Sequence, residues 1–552
     1  MIVLVKVYVV IHKQIEVVTR SNSRPQDKCL ENESFYILER VYSQERRRYL
    51  VPEKNMCNQE NVERKLSEQE QNRVDKLSWL RELGVDPFGK KFAPEDYSVA
   101  LQTKFEEVSK EELEELKVPV KVAGRIMTKR GKGKAGFMHI QDNDGQIQIY
   151  LRKDILSEVE FELFQKCDIG DIIGIEGTVF KTKTGEVSVK ATNYHHLTKA
   201  LKPLPEKFHG LTDEEARFRK RYLDIIMDRD VKDIFVKKQK FWSTIRNYMI
   251  EHDFLEVETP ILETSSGGAA ATPFATHHNA LDIDVFLRIS MGELWQKKLL
   301  VAGFEKTFEI GRQFRNEGMS PEHLQDYTQM EFYWAYADIE DGMEFTKELY
   351  RKITKAVMGS SKFTTRGFDI DMDNEWEIYD FEAIIEEKTG VNIFNTTKEE
   401  IEARLDKYNV EYDPNHGFWR LVDVLWKVVR KDLSGPGFLV GQPVQLNPLP
   451  KRLPGDDRKV AQMQIILAGS EMGNGYTELN DPIDLENRFK EQRAMGEAGD
   501  EEAHDHDETF IEALRYGMPP AYGFGVSERL FSVMMDKPIR ECVAFPLMKP
   551  KN

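Results

Sequence analysis

The sequence predicts an α+β chain: a small closed β-barrel followed by a larger domain in which helices flank an antiparallel sheet. Five short β-rich runs separated by turn residues fill Val118 to Thr198, the spacing of a small barrel. Helical periodicity takes over from Glu214, interleaved with strand-like segments to the end. Two alternating runs, Phe304–Arg315 and Tyr327–Trp334, flank one Gly- and Pro-containing loop, as expected of a paired antiparallel sheet. A length of 552 residues, 40% hydrophobic and 31% charged, allows about two to four domains with buried cores.

Residues 1–70 form an N-terminal extension, a β-branched run at 1–11 and then a polar stretch with Arg46-Arg47-Arg48, predicted to pack poorly and to be disordered. An equally open reading is that Met56 is the start. The apolar run Met1–Ile11 is broken by Lys6 and far too short to span a bilayer, so neither a signal nor a membrane segment is expected. Val74, Leu77, Leu80 and Leu83 mark one side of a helix that Gly84 ends. This helix leads a domain at 71–205 whose strands are read at Val118–Met127, Gly136–Gln141, Gln146–Leu151, Ile172–Phe180 and Val187–Thr192, a barrel of the OB-fold type.

Charge separates the two domains. The chain carries a net −17, which excludes a global polycation for nonspecific nucleic-acid or membrane binding, yet residues 118–205 hold 14 Lys+Arg against 10 Asp+Glu. Lys129, Arg130, Lys132 and Lys134 form a basic loop just before Phe137, and a cation beside a stacking ring is how small barrels hold single-stranded nucleic acid. A solvated turn beside an ordinary aromatic residue accounts for the same pattern. Cys29, Cys57, Cys167 and Cys542 are scattered without a C-x-x-C pair, so a reducing, cytoplasmic compartment is expected, without a disulfide framework or zinc ribbon.

After a Pro-containing connection at Lys202–His209, the large domain at 206–552 opens with a helix over Val231–Ile250, a short strand Leu255–Val257 and Pro260. In the paired runs, Phe308, Ile310, Met330 and Phe332 share an apolar face, whereas Arg315, Tyr327, Glu331 and Tyr333 gather on the other. That face reads as the floor of a polar ligand site, or as a solvent-facing sheet. In Gly469–Glu478 the residues Asn474, Tyr476 and Glu478 share parity while Glu471 does not, which predicts a bulge around the glycines. In Gly523–Leu530, Ser527 is placed as a helix N-cap with Arg529 beside it, a combination suited to an anion. His504-Asp505-His506 lies in a Glu-rich stretch and reads as a solvated loop.

The order helix–strand–Pro260, then Phe314-Arg315-Asn316-Glu317, then Gly525–Arg529 resembles the three motifs of the class II aminoacyl-tRNA synthetases. Gly267–Ala271, Thr276–Leu281, Phe314–Gly318, Asn474–Asp481 and His209–Asp213 narrow the resemblance to the lysyl-tRNA synthetase family, over about residues 70–552. It implies an anticodon-binding OB-fold domain before a class II catalytic domain. The implied activity joins lysine to ATP as lysyl-adenylate and then transfers lysyl to the 3′ end of lysine tRNA. It also implies a homodimer through the Val231–Pro260 element, a cytoplasmic location, and no DNA or membrane partner.

Residue by residue, the resemblance assigns Arg315 to the α-phosphate and the lysine carboxylate, and Arg529 to the distal phosphates. Tyr327, Glu317 and His323 complete the ATP site. Glu471 is the Mg²⁺ carboxylate, with Gln464 where a second carboxylate is usual. Glu478 and Tyr333 are to receive the lysine ammonium, with Tyr476 in the same pocket; Asn474 meets the carboxylate, and Glu293 and Gly268 the α-amino group. An aspartate- or asparagine-using relative would need a cation where Glu478 stands. Arg130, Phe137, Gln148 and Glu186 are the anticodon-binding set. The chain departs from the pattern in Gln464, in Glu322-His323-Leu324-Gln325 for Arg-His-Asn-Pro, in a third motif one residue shorter with Glu528, and in Ile289–Glu293. These departures carry a second reading, a noncatalytic synthetase-like tRNA-binding or regulatory paralogue.

Overall fold

A computed structural model describes residues 66–131, 133–205, 213–265, 271–497 and 508–551. The predicted extension up to residue 65, Lys132, Gly268 and His504–His506 lie outside the described residues. The chain divides into two compact units, one ending at Pro203 and one beginning at Leu204.

In the first unit the leading helix runs Glu68–Glu82, starting six residues before the apolar spacing does at Val74. Its start is set by a capping box: the Glu70 N–H donates to Ser67 Oγ at 3.2 Å and the Ser67 N–H donates to Glu70 Oε2 at 2.9 Å. The barrel strands are β1 (Pro119–Arg130), β2 (Ala135–Gln141), β3 (Gln146–Arg152), β4 (Ile172–Lys181) and β5 (Val187–Thr198), closed in the order β1-β2-β3-β5-β4. Only β3 and β5 pair in parallel; every other contact in the ring is antiparallel. Alternate residues such as Val122, Met138, Ile140, Ile147, Ile149 and Val189 fill the interior. The β1–β2 turn is not uniformly a solvated basic loop. Lys129 Nζ donates to the carbonyls of Gln165 at 2.8 Å and Cys167 at 2.9 Å, so it staples the hairpin to the helix Glu158–Lys166.

The second unit is built on eight strands: β6 (Leu255–Glu256), β7 (Lys306–Phe314), β8 (Asp326–Ala335), β9 (Glu377–Asp380), β10 (Gly437–Val440), β11 (Gln462–Leu467), β12 (Ser470–Thr477) and β13 (Ala521–Ser527). Their order is β9-β10-β11-β12-β13-β8-β7-β6. The six central strands are antiparallel, as predicted, but both edge pairs, β9/β10 and β6/β7, are parallel, so the sheet is mixed. Each edge strand enters the sheet from outside the meander, and its direction is set by a long connection that no local alternation encodes.

Phe308, Met330, Phe332 and Phe524 form one face of this sheet, packed on the helices Arg229–Glu251 and Ile339–Met358 through Phe241, Ile245, Leu349 and Ile353. The helix predicted at Val231–Ile250 is thus present and buries its apolar stripe. The predicted bulge is also present: Ile465 pairs with Gly473 and Ile466 with Glu471, leaving Met472 as the extra residue. Ser527 is still in strand β13. The last motif's helix begins at Arg529, whose N–H donates to Ser527 Oγ at 3.3 Å, so the cap predicted at Ser527 sits one residue early.

Candidate active site

The opposite face of the sheet is not solvent-facing. It floors a cavity of about 540 Å³ lined by Arg315, Tyr327, Gln329, Glu331 and Tyr333 from β8 and its loop. Asn474, Tyr476 and Glu471 line it from β12, Glu478 from just past the end of that strand, Gln464 from β11 and Arg529 from the last motif. Glu293, Glu317, Glu322 and His323 complete the walls. The bulge lets Glu471 share this face with Asn474 despite the wrong parity. Gly523 is required where β13 passes Glu478, because an added Cβ would overlap the Glu478 carboxylate and the Tyr333 ring.

One end of the cavity is acidic and deeply buried. Glu478 is 1% exposed, Glu331 7% and Glu293 8%. Among them lies Lys297, 2% exposed, whose Nζ is 2.6 Å from Glu478 Oε2 and 3.0 Å from Glu293 Oε1. The helix Glu293–Val301 places Glu293 and Lys297 one turn apart on its inner side. Tyr476 donates its phenol proton to Glu293, and Tyr333 Oη donates to Glu331 Oε2 at 3.2 Å. The Met291 N–H, Gln313 Nε2 and Gln329 Nε2 all donate to Glu331 Oε1.

Burial opposes three carboxylates so close together. It raises Glu478 to about 8, outweighing the help of Lys297, with Glu293 and Glu331 adding smaller upward pushes, and raises Glu331 to about 7, with Glu293 adding to the effect. Burial also works against the Lys297 charge, but Glu293 and Glu478 overcome it and carry that group to about 12. Neither Lys297 nor Glu331 was assigned a role from sequence. Glu331 was visible as part of the polar parity of β8, and the only sequence signal for Lys297 was its four-residue spacing from Glu293.

The other end is cationic. Arg315 Nε donates to the Ile289 carbonyl at 3.2 Å, and its guanidinium lies 5.9 Å from the centre of the Tyr327 ring. The Ile289–Glu293 segment therefore holds both Arg315 and, through Met291, Glu331. Tyr327 Oη donates to Gln313 Oε1 at 3.1 Å. Arg529 Nε is 3.0 Å from Glu322 Oε2, an ion pair without hydrogen-bond geometry, and its buried Nη2 also has no hydrogen-bond partner. Burial lowers the His323 imidazole below its usual range and Arg529 adds to this, so at neutral pH it is an uncharged ring bonded through Nδ1 to Ser320 Oγ at 2.7 Å.

Glu471 Oε1 accepts from Trp426 Nε1 at 2.7 Å. Among the described residues no group of three His, Cys, Asp or Glu side chains could hold a metal by itself. One carboxylate and the Gln464 amide oxygen at the cavity wall suit a cation whose remaining ligands come from phosphates and water, the usual manner of Mg²⁺.

In the barrel, Arg130, Phe137, Gln148 and Glu186 come together. Phe137 stacks on Tyr150 with ring centres 4.7 Å apart, and Arg130 lies 5.2 Å over the Phe137 ring. Gln148 Nε2 donates to Glu186 Oε2 at 3.0 Å, and Glu186 Oε1 meets His139 Nε2 at 3.1 Å. Tyr150 and His139 were not singled out in the sequence, although strand parity with Phe137 would have found them.

Chains of known type share both units. A family model described as tRNA synthetases class II (D, K and N) matches residues 213–549, and one described as an OB-fold nucleic acid binding domain matches residues 120–197. A two-ended cavity on a largely antiparallel sheet, preceded by an OB-fold barrel, is the arrangement of that class of synthetase. Curated relatives bearing the name lysine–tRNA ligase include that of Staphylococcus epidermidis, 45% identical over 88% of this chain and 99% of the relative. That of Bacillus subtilis is 43% identical over 90% and 100%, and that of Staphylococcus aureus 45% over 87% and 98%. The chain belongs to the lysine–tRNA ligase family of the class II tRNA synthetases.

Proposed function

We propose that this chain activates lysine with ATP and transfers lysyl to the 3′ end of lysine tRNA. The observation that carries the reading is the acidic end of the cavity, where three buried carboxylates face a single resident ammonium. With all three ionised, such a pocket is short of two positive charges, and lysine brings two ammonium groups. Glu478 and Tyr333 take the side-chain ammonium, with Tyr476 as a wall. Glu293 takes the α-amino group, with Gly268 on the family's pattern, while Asn474 and Arg315 orient the carboxylate.

In the first step a lysine carboxylate oxygen attacks the α-phosphorus and the bond to the β-phosphate oxygen breaks, releasing pyrophosphate. Arg315 holds the α-phosphate and the attacking carboxylate in line and balances the charge gathering there; Arg529 holds the leaving phosphates. Tyr327 offers its ring to adenine, Glu317 accepts from the adenine amino group, and His323 offers an N–H on the phosphate side. Mg²⁺, held by Glu471 and Gln464, would supply further positive charge to the phosphates. In the second step a terminal ribose hydroxyl attacks the lysyl carbonyl and AMP departs, with Arg315 still on its phosphate. On the barrel, Phe137 stacks on an anticodon base while Arg130, Gln148 and Glu186 meet base edges.

The exposed apolar residues Val236, Ile250, Leu255, Ile261 and Leu262 lie along the Val231–Pro260 element and its continuation, and they support a homodimer through that region. Among the described residues no helix is long and apolar enough to cross a membrane, and the reading places the enzyme in the cytoplasm.

The test is ATP–pyrophosphate exchange with lysine beside arginine, ornithine, aspartate and asparagine. Exchange with lysine alone is expected; exchange with aspartate or asparagine, or with no amino acid while lysine tRNA still binds, would overturn the assignment. A second expectation concerns the barrel. Phe137→Ala should lower kcat/KM for tRNA charging by roughly 10- to 100-fold, the loss of one base–aromatic stack, and leave tRNA-independent exchange unchanged. Equal losses in both assays would remove Phe137 from the anticodon site.

A further inference from the structure

Position 322 is where the family pattern puts a cation on the distal-phosphate side. Here it is a glutamate, and the structure shows what its carboxylate does. Oε1 is 2.7 Å from Arg366 Nη1, Oε2 is 3.0 Å from Arg529 Nε, and Ser470 Oγ donates to Oε1 at 3.2 Å. Two guanidinium groups from distant parts of the chain are thus bridged by the two oxygens of one anion.

Arg366 is built for this place. It occupies the turn between the strands Lys362–Thr365 and Phe368–Asp371 with φ +52°, followed by Gly367 at +81°. A long side chain rarely adopts that backbone region, and here it is over-determined by its surroundings. The Arg366 N–H donates to Asp536 Oδ1 at 2.9 Å, and Thr365 Oγ1 donates to the Val533 carbonyl at 2.6 Å, which pins the turn beneath the helix Arg529–Met534. Arg366 Nη1 also donates to Ser470 Oγ at 2.8 Å, so its direction is fixed from both ends. Glu322, by contrast, belongs to the Asn316–Gln325 loop, whose tip around Met319 is exposed.

We propose that Arg366 binds the distal phosphates of ATP beside Arg529, and that Glu322 occupies the phosphates' place on both arginines until ATP displaces it. The inference rests on the lysine–ATP reading above and adds to it a cation from outside the three motifs and a carboxylate that competes with the substrate. Two fixed guanidinium groups within reach of one dianionic phosphate are a bidentate receptor, which a single carboxylate satisfies only in part. The charge absent from position 322 is thereby supplied from position 366. Glu322 approaches Arg529 Nε to 3.0 Å, yet neither the buried Nε nor the buried Nη2 is hydrogen-bonded, so both remain as donors for the larger anion.

The two residues act with opposite signs on one constant, which a merely structural role cannot produce. On the full-length chain with Mg²⁺, Arg366→Gln should raise the KM for ATP in lysine-dependent exchange by about 10-fold or more, the scale of one lost charge-assisted contact, while the KM for lysine stays within about twofold. Glu322→Gln should lower the KM for ATP severalfold, and Arg366→Lys should recover part of the loss in Arg366→Gln. Direct binding of ATP should follow the same order, and AMP, which lacks the distal phosphates, should bind all variants alike. An unchanged KM for ATP in Arg366→Gln, a raised one in Glu322→Gln, or AMP binding that falls in parallel would overturn the proposal. If the unaltered chain shows no lysine-dependent exchange, the lysine reading fails separately, and the ATP and AMP binding series still decides the roles of Arg366 and Glu322.

Discussion

Glu478→Gln should reduce kcat/KM for lysine in pyrophosphate exchange by at least 100-fold, with most of the loss in KM and little change in the KM for ATP. The substitution keeps the shape of the side chain and removes one charge. Glu478 is almost wholly inaccessible, and Gly523 allows its carboxylate to lie against β13. An ammonium drawn into such a place without its carboxylate is left buried and unpaired, which costs about 3–5 kcal/mol, or roughly 100- to 5,000-fold. The penalty falls on both steps of binding, because Lys297 also loses its 2.6 Å partner and competes with the substrate for Glu293. The ATP end, centred on Arg315 and Arg529, does not contact Glu478, and separate KM values for the two substrates check this. A glutamine variant whose KM for lysine stays within a few fold of the parent would remove Glu478 from the ammonium site.

How far such a site can be read from sequence depends on whether its parts are local. The floor of the cavity was legible because β7 and β8 are consecutive and amphipathic: their alternation identified the apolar face with Phe308 and Phe332 and the polar face with Tyr327, Glu331 and Tyr333. The bulge at Glu471 was legible for the same reason, since parity fails there between neighbouring residues. Lys297 was not, because one lysine on a helix bearing Glu293 looks like a surface ion pair until the fold closes over it. Arg366 lay further out of reach: it meets Glu322 and Ser470 only because a remote two-residue turn is pinned under the last motif's helix. Lys129 shows the opposite error, a basic residue that read as nucleic-acid contact but is spent on two backbone carbonyls. The helix Glu158–Lys166 was missed although Ser157 and Glu160 spell a capping box, because β-rich neighbours dominated the reading of that stretch.

The acidic pocket should also make lysine binding depend on pH in a direction the charges fix. The groups facing Glu478 are Lys297 and Glu293 on one helix, Glu331 and Tyr333 on β8, and Tyr476 on β12. In the free protein Glu478 titrates near 8 and Glu331 near 7, so at pH 6 both hold protons. Lysine brings two ammonium groups which, with Lys297, balance three carboxylates only when all three are ionised, so binding must expel those protons. The KM for lysine should therefore fall steeply from pH 6 to 8, by up to about tenfold per proton released per pH unit, and level off above about 8.5. Stability moves the other way. A carboxyl whose folded pKa lies above its unfolded value of about 4.3 stabilises the fold fully at low pH and loses that contribution as pH rises through its folded pKa. The lysine-free protein should therefore lose stability from these two groups between about pH 4.3 and 8, and the rise in Tm produced by saturating lysine should grow over pH 6–8.5. Thermal melts with and without lysine across this range measure both effects. Glu478→Gln should remove the upper step, and a Tm rise independent of pH in the parent would mean that Glu478 and Glu331 are already ionised in the free pocket.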